Sequence, residues 1–489
     1  MNTSKPFAAT ASALLTDLYE LTMAYGYWKA GKANQEAVFH LFFRRHPFQG
    51  GYTLAAGLED SVRYLLGFRF EESDLAYLSA VEGNDGKPLF ERAFLDYLGT
   101  LRLGLDVHAV PEGTVVFPQE PLLRVRGPLL HAQLVETALL NFTNFQSLIA
   151  TKAVRICQAA GADPVVEFGL RRAQGIDGAL TASRAAYIGG CQGTSNVLAG
   201  KLMGIPVKGT HAHSWVMAFE DEQTAFDAYA QAMPNNCIFL VDTYDSIQGI
   251  HHAIETGKKL RSQGHALAGI RLDSGDLAYL SIEGRKLLDA AGFTDAAILG
   301  SNDLDEHLIA SLKQQGARIN VWGVGTKLVT AYDQPALGCV YKLSALRKPD
   351  GGWEHRLKLS DQAAKATNPG ILQVRRFRTE REFIGDAIYD ELQPPLQPTT
   401  IVDPADATRR KHFTANAQTE DLLAPVLKQG NLVAELPALE AIRDRARQQL
   451  AMLHPGIKRF EYPHEYPAGL ELRLHELKTR LILRARGEA

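Results

Sequence analysis

An α/β fold with a closed barrel of parallel strands is what this sequence predicts, flanked by a second α+β domain built from both ends of the chain. Three observations lead there. From about residue 160 a short apolar run, a polar or glycine cluster and a helical stretch follow one another repeatedly. The recurrence is roughly thirty residues long, the size of a βα unit in a parallel sheet. Six or more such units in succession favour closure into a barrel, with a doubly wound open sheet as the alternative, because counting strands does not show closure.

The elements read in order as follows. A helical segment at Leu15–Trp28, a strand-like run at Val38–Phe43 and Pro/Gly-punctuated β material around Pro111–Gly127 make up the N-terminal flank. A long apolar helix over Leu129–Ala160 leads into the repeats. Their apolar runs are Val165–Val166, Ile205–Lys208, Cys237–Val241, Leu267–Ile270, Ala296–Leu299 and Ile319–Trp322. Helical periodicity separates several of them, at Glu220–Met233, Ser246–Gln263, Asp276–Ala291 and Asp303–Gln314. After about residue 345 come short β-like pieces, a proline-rich loop at Pro394–Pro404 and a helical stretch at Leu436–Leu453. Residues 1–128 and 345–489 are therefore read as one discontinuous α+β domain, and 129–344 as the barrel.

Composition narrows the function. A chain of 489 residues exceeds what one hydrophobic core usually organises, and its 46% hydrophobic and 22% charged content is that of a globular protein. The formal net charge of -3 does not advertise a nucleic-acid or anionic-membrane surface. Cys157, Cys191, Cys237 and Cys339 are too widely separated for a zinc knuckle or a redox pair and read as buried free thiols. The N-terminal stretch lacks a sustained apolar region, and no run approaches the eighteen or so apolar residues of a membrane span, so a cytoplasmic protein is expected.

Both barrels and open α/β sheets bind ligands at the carboxyl ends of their strands, and the polar clusters lie there. Arg271-Leu272-Asp273-Ser274-Gly275-Asp276 follows a strand and opens a helix. Its carboxylates suit ribose hydroxyls or Mg²⁺ on a phosphate; they also suit a plain helix N-cap. Gly300-Ser301-Asn302-Asp303 and Gly323-Val324-Gly325-Thr326 have the composition of anion nests, although either alone is only a turn. Gly209-Thr210-His211-Ala212-His213-Ser214-Trp215 places two histidines near a strand end. Zinc would need a third ligand; a nucleophilic histidine would need a carboxylate on its far nitrogen, for which Asp242 is the natural candidate. Glu167-Phe168-Gly169-Leu170-Arg171-Arg172 offers guanidinium groups and an aromatic ring for a flat acid, or merely a solvated face.

Together these strings resemble a known family. Thr16-Asp17-Leu18-Tyr19-Glu20-Leu21-Thr22-Met23, Glu167 through Gly175, Gly209-Thr210 with His213-Ser214, and Leu272 through Asp276 are similar in order and spacing to nicotinate phosphoribosyltransferases. The likeness covers nearly the whole chain, is densest from 160 to 345 and is thinnest after 350. It implies an irregular, TIM-like barrel and an ATP-dependent transfer of phosphoribosyl from phosphoribosyl pyrophosphate to nicotinate.

The resemblance also implies roles. His213 matches the histidine that ATP phosphorylates, Asp242 the carboxylate that orients it, and Asp273 a further catalytic acid; His211 is given no role. Phe168, Arg171, Ser195 and Ser214 fall where the pyridine acid is held, and Tyr19 where an aromatic closes over the ring from the partner subunit of a homodimer. Thr210, Arg271, Asp276, Gly300, Ser301, Asn302, Gly323, Gly325 and Thr326 match the phosphoribosyl and phosphate site. Mg²⁺ is expected with phosphoribosyl pyrophosphate and ATP, its protein ligands unassigned.

Rival readings remain open at this point. A nicotinamide-specific relative would carry an acid where Ser195 stands, and a carboxylate substrate would be repelled by that acid. A noncatalytic binding protein would have lost His213, Asp242, Arg171 or Asp273. An isomerase or aldolase barrel would need Lys208 or Glu167 as its base or amine.

Overall fold

The computed structural model describes residues 12–359 and 366–488, so the start of the N-terminal stretch read above lies outside the described residues. The chain divides into two compact units, Met1–Leu148 with Ala336–Ala489, and Ile149–Pro335. These limits differ from the expected 128/129 and 344/345.

In the first unit, strands from before and after the second unit interleave in one antiparallel seven-stranded sheet. Its order is Trp353–His355, Cys339–Arg347, Glu36–Phe43, Leu123–Pro128, Asp106–Ala109, Ala424–Lys428, Asn431–Leu432. Seven of the eight residues of Glu36–Phe43 are buried, so this strand is covered on both faces, as its unbroken apolar run requires. A mixed six-stranded sheet has Ala468–Glu471 and Phe383–Asp390 at its centre, with Leu372–Arg378 beside the latter. It also contains Thr399–Val402, a strand inside the segment that its prolines had marked as loop. The prolines there lie outside the strand, whose four residues are free to join the ladder.

The second unit carries six parallel strands in the order Gly193–Thr194, Val165–Glu167, Val321–Val324, Ala297–Gly300, Gly269–Leu272, Ile238–Leu240. The first and last long units of the repeat are neighbours, because Val165–Glu167 pairs with Val321–Val324. Hydrogen-bonded pairing does not run from Ile238–Leu240 back to Gly193–Thr194, so backbone closure is not made among the described residues. The Ile205–Lys208 run contributes only a single bridge, Thr194 to Val207.

Four helices of this unit start on an aspartate whose side chain accepts the N–H three residues on. Asp221 caps Thr224 (2.7 Å), Asp245 caps Gln248 (2.8 Å), Asp276 caps Tyr279 (3.0 Å) and Asp305 caps Leu308 (2.7 Å). Caps of this kind contribute about 1 kcal/mol each and fix where loop gives way to helix. The loops that follow Ile238–Leu240, Gly269–Leu272 and Ala297–Gly300 are thereby held at both ends.

Beneath them Glu306, 1% exposed, meets Lys152 and Arg155 at 2.7 Å each. Burial would raise its pKa, but the two cations outweigh burial and hold it below the usual carboxylate range. All four cysteines are free; Cys191 and Cys237 are buried, whereas Cys157 and Cys339 are partly exposed. No described helix is long and apolar enough to cross a membrane.

Candidate functional site

Because the six strands are parallel, their carboxyl ends lie along one edge, and there the polar side chains converge on Arg271. Its Nε donates to Ser301 Oγ (2.9 Å), one terminal nitrogen to Thr210 Oγ1 (3.1 Å) and the other to Asp273 Oδ1 (2.7 Å). Its guanidinium also lies 5.5 Å from the centre of the Phe168 ring. One cation thus ties together residues from four separate segments, and four expected site residues are brought into contact through it.

Asp273 is the second node. Ser301 donates its hydroxyl to Oδ1 at 2.5 Å, and the Asp273 N–H donates to Asp242 Oδ2 at 2.8 Å. Burial alone would favour the neutral acid; the Ser301 hydroxyl and the Arg271 charge outweigh it, and the carboxyl is held below its ordinary pKa. The outcome is a partly buried carboxylate that stays ionised at neutral pH.

His213 opens the short helix His213–Met217 and points its two nitrogens at different groups. Nε2 lies 3.9 Å from Asp273 Oδ2, and Nδ1 lies 3.1 Å from Thr243 Oγ1. The expectation that Asp242 orients this ring is not met here. Asp242 Oδ2 is engaged by the Asp273 N–H and by Ser274 Oγ at 2.7 Å, while Oδ1 is buried without a hydrogen-bond partner. The orienting contact comes instead from Thr243, which sequence reasoning missed because an acid next to a threonine draws the eye and a threonine hydroxyl carries no motif.

His211 is structural. Its Nε2 accepts the Leu240 N–H (3.2 Å), and its ring packs among Phe226, Tyr229 and Phe239. An imidazole that accepts there carries its proton on Nδ1, beside the Ala212 carbonyl at 3.4 Å. Burial lowers its pKa, with the Arg271 charge acting in the same direction.

Phe168 owes its seat to Gly323. A β-carbon at 323 would come within 2.7 Å of two atoms of the Phe168 ring, and one at Gly300 within 2.7 Å of Ile319. Both glycines, read above as anion-nest residues, are required for close packing at the strand ends. Gly323→Ala is accordingly expected to tilt the ring off Arg271, raising KM for the aromatic substrate about tenfold with a smaller change in kcat, at an overpacking cost of about 1–3 kcal/mol. Steady-state kinetics and a thermal melt check it; an unchanged KM would separate Phe168 from substrate binding.

Other expected residues lie apart from this hub. Arg171 is exposed in the turn Leu170–Arg172 and makes no ion pair among the described residues, leaving its guanidinium available to a carboxylate. Ser195 is half-buried, its N–H on the Glu167 carbonyl (2.9 Å), and Ser214 is exposed. Asp276 is the N-cap described above, which accounts for it without a ligand. Asn302 and Asp303 both have positive φ, 90° and 44°, a backbone that non-glycine residues adopt sparingly and that turns the chain sharply after Ser301. Gly325 and Thr326 begin the one-turn helix Thr326–Val329. Tyr19, in the first unit, is 47% exposed with its hydroxyl 3.4 Å from Glu136. Glu167 is 1% exposed and accepts from Gly169 N–H, Ser183 Oγ and Thr194 Oγ1, so it braces the strand end and is not placed to act as a base.

Among the described residues no three His, Cys, Asp or Glu side chains are grouped to hold a metal. The unpartnered Asp242 Oδ1 beside Asp273 nevertheless fits Mg²⁺, which takes one or two carboxylate oxygens and completes its shell with phosphate and water.

Parallel strands whose tips combine an arginine hub, an ionised aspartate and an accessible histidine define an anion-handling α/β enzyme site. Three family models match: the nicotinate phosphoribosyltransferase N-terminal domain over residues 14–144, the nicotinate phosphoribosyltransferase family over 164–370, and the corresponding C-terminal domain over 373–478. The chain is 45% identical to the nicotinate phosphoribosyltransferase of Bacillus subtilis (strain 168), covering 97% of this chain and 98% of that one. It is 38% identical to that of Bos taurus over 97% of this chain and 98% of the relative. The crystal structure of human nicotinic acid phosphoribosyltransferase superposes with a TM-score of 0.83 at 36% identity, covering 95% of this chain and 99% of that one. A nicotinate-nucleotide pyrophosphorylase from Pyrococcus furiosus, 23% identical with a TM-score of 0.67 over 92% of this chain and 97% of its own, shares the fold. The chain belongs to the nicotinate phosphoribosyltransferase family.

Proposed function

We propose that this protein transfers the phosphoribosyl group of phosphoribosyl pyrophosphate to nicotinate, giving nicotinate mononucleotide and pyrophosphate for NAD synthesis, with ATP hydrolysis coupled through phosphorylation of His213. The observation that carries the reading is the Arg271 hub, where Thr210, Asp273 and Ser301 surround a cation beneath the Phe168 ring. Breaking the bond from ribose C1 to pyrophosphate leaves positive charge on the sugar, and in this reading the ionised Asp273 stabilises it. The pyridine nitrogen then bonds to C1. It is a neutral nucleophile, so positioning supplies much of the rate and no protein base is required. Phe168 packs on the ring, and the free guanidinium of Arg171 suits its carboxylate.

Thr243 suits the phosphorylation step. A hydroxyl that accepts the Nδ1 proton leaves the lone pair on Nε2 to attack the terminal phosphate of ATP, and Asp273 beside Nε2 favours the ring as its charge develops. Mg²⁺, held by Asp242 and Asp273 together with phosphate oxygens, would neutralise the leaving pyrophosphate. We read the parallel sheet as a TIM-like barrel. The neighbouring first and last units support this, as do the Thr194–Val207 bridge and the His211–Leu240 bond, which lie in the stretch where the ladder stays open. A homodimer in which the partner supplies Tyr19 is in keeping with the exposed Leu18, Tyr19 and Met23 of the first helix, and a cytoplasmic setting with the free cysteines.

Purified protein with nicotinate, phosphoribosyl pyrophosphate and Mg²⁺ is expected to form the mononucleotide, faster with ATP. No product with or without ATP would overturn the reading, and preferential use of nicotinamide would identify the amide-specific alternative. Ser195 tests that choice. Ser195→Asp places a carboxylate on the strand end and is expected to lower kcat/KM for nicotinate by about 10–100-fold while nicotinamide suffers less, a change in ratio read from paired kinetics.

A further inference from the structure

The first unit contains a large cleft that none of the chemistry above uses. Its volume is about 1060 Å³, and cationic side chains line it out of proportion to the rest of the chain. Arg44, Arg45, Arg409, Arg410, Lys411 and Lys478 face two carboxylates, Asp403 and Glu465. Arg409 occupies both of those, at 3.4 Å and 2.7 Å. The other five make no ion pair among the described residues.

Three of those five reach neutral oxygens. Arg410 Nε reaches the Ala407 carbonyl at 3.4 Å, Lys411 Nζ the Ile384 carbonyl at 2.5 Å, and Lys478 Nζ the Asn368 side-chain oxygen at 2.9 Å. Burial pushes the Lys478 amine down to about 8 and lowers that of Lys411 as well, so both ammonium groups are held at a cost that a bound anion would relieve. Such a concentration of positive charge in a chain whose net charge is -3 is a local feature, and among the described residues only the two ion pairs of Arg409 offset it.

We propose that this cleft binds a small molecule bearing two or more linked phosphates. Arginine forks and lysine ammonium groups together suit adjacent phosphate groups, whose several charges answer several cations at once. The size of the cavity matches a ligand of nucleotide dimensions, whereas a nucleic-acid surface would run as an open stripe. The inference rests on none of the assignments made at the strand tips.

Inorganic tripolyphosphate is the probe, titrated calorimetrically into the full chain carrying Arg271→Gln, which weakens anion binding at the strand tips. One tripolyphosphate per chain is expected to bind, with an affinity that falls as salt rises. Adding Arg410→Gln or Lys478→Met should weaken it at least tenfold, and Arg410, exposed and bonded only to a backbone carbonyl, can be replaced with little risk to folding. Three results would each overturn the proposal: no binding to the Arg271→Gln chain, equal affinity in the Arg410→Gln and Lys478→Met forms, or tighter binding of a single-stranded oligonucleotide than of tripolyphosphate at the same residues.

Discussion

Asp273→Asn is expected to lower kcat for mononucleotide formation by about 10²–10³-fold, the range typical of removing one preorganised electrostatic partner of a transition state. The amide keeps the shape of the carboxylate and can still accept from Ser301, so the loss is one of charge. That charge balances Arg271 at 2.7 Å, and on the proposed reading it would also face the sugar when the bond to pyrophosphate breaks. Because the side chain is partly buried, the neutral substitute leaves a guanidinium whose remaining protein partners are hydroxyls. Steady-state kinetics with a melting curve read both effects. A kcat within a factor of three of wild type would remove Asp273 from the chemistry, and a loss accompanied by a collapse in Tm would assign it to folding instead.

Why that residue could be found from sequence, and others could not, follows from how far each signal reaches along the chain. Asp273 stands directly after an apolar run and before a helical one, so its place at a strand tip is written in its immediate neighbours. The same holds for Arg271, Ser301 and Phe168, all within two residues of a strand end. Asp242 and Thr243 share such a position equally, and periodicity carries no information on which of two adjacent side chains turns toward a histidine thirty residues earlier. The choice depends on the Asp273 N–H and the Ser274 hydroxyl capturing the Asp242 carboxylate, a tertiary event. The packing role of Gly300 and Gly323 is hidden for a related reason: a glycine that admits a ligand and one that admits a neighbouring side chain look identical until Ile319 and Phe168 are in place. The short Gly193–Thr194 strand went unseen because two residues carry no period, and Ile205–Lys208, which has the apolar look of a strand, pairs only through one bridge.

His213→Ala should reduce phosphate incorporation from ATP labelled on its terminal phosphate to background and remove the stimulation of transfer by ATP, while His211→Ala keeps the label. The two rings lie two residues apart and differ in everything that bears on reactivity. His213 leaves Nε2 accessible with an ionised carboxylate at 3.9 Å, whereas the Nε2 of His211 is committed to the Leu240 N–H and its ring is buried. A buried imidazole with a lowered pKa and no free lone pair cannot reach a nucleotide, so its loss should appear as destabilisation of about 1–3 kcal/mol from the unsatisfied N–H of Leu240. Thr243→Val separates orientation from nucleophilicity. It removes the acceptor for the Nδ1 proton without touching Nε2, so phosphorylation should slow while the ATP-independent transfer rate stays at its wild-type level. An acid-labile label persisting in His213→Ala would refute the nucleophile, and a Thr243→Val protein phosphorylated at the wild-type rate would return the orienting role to Asp242.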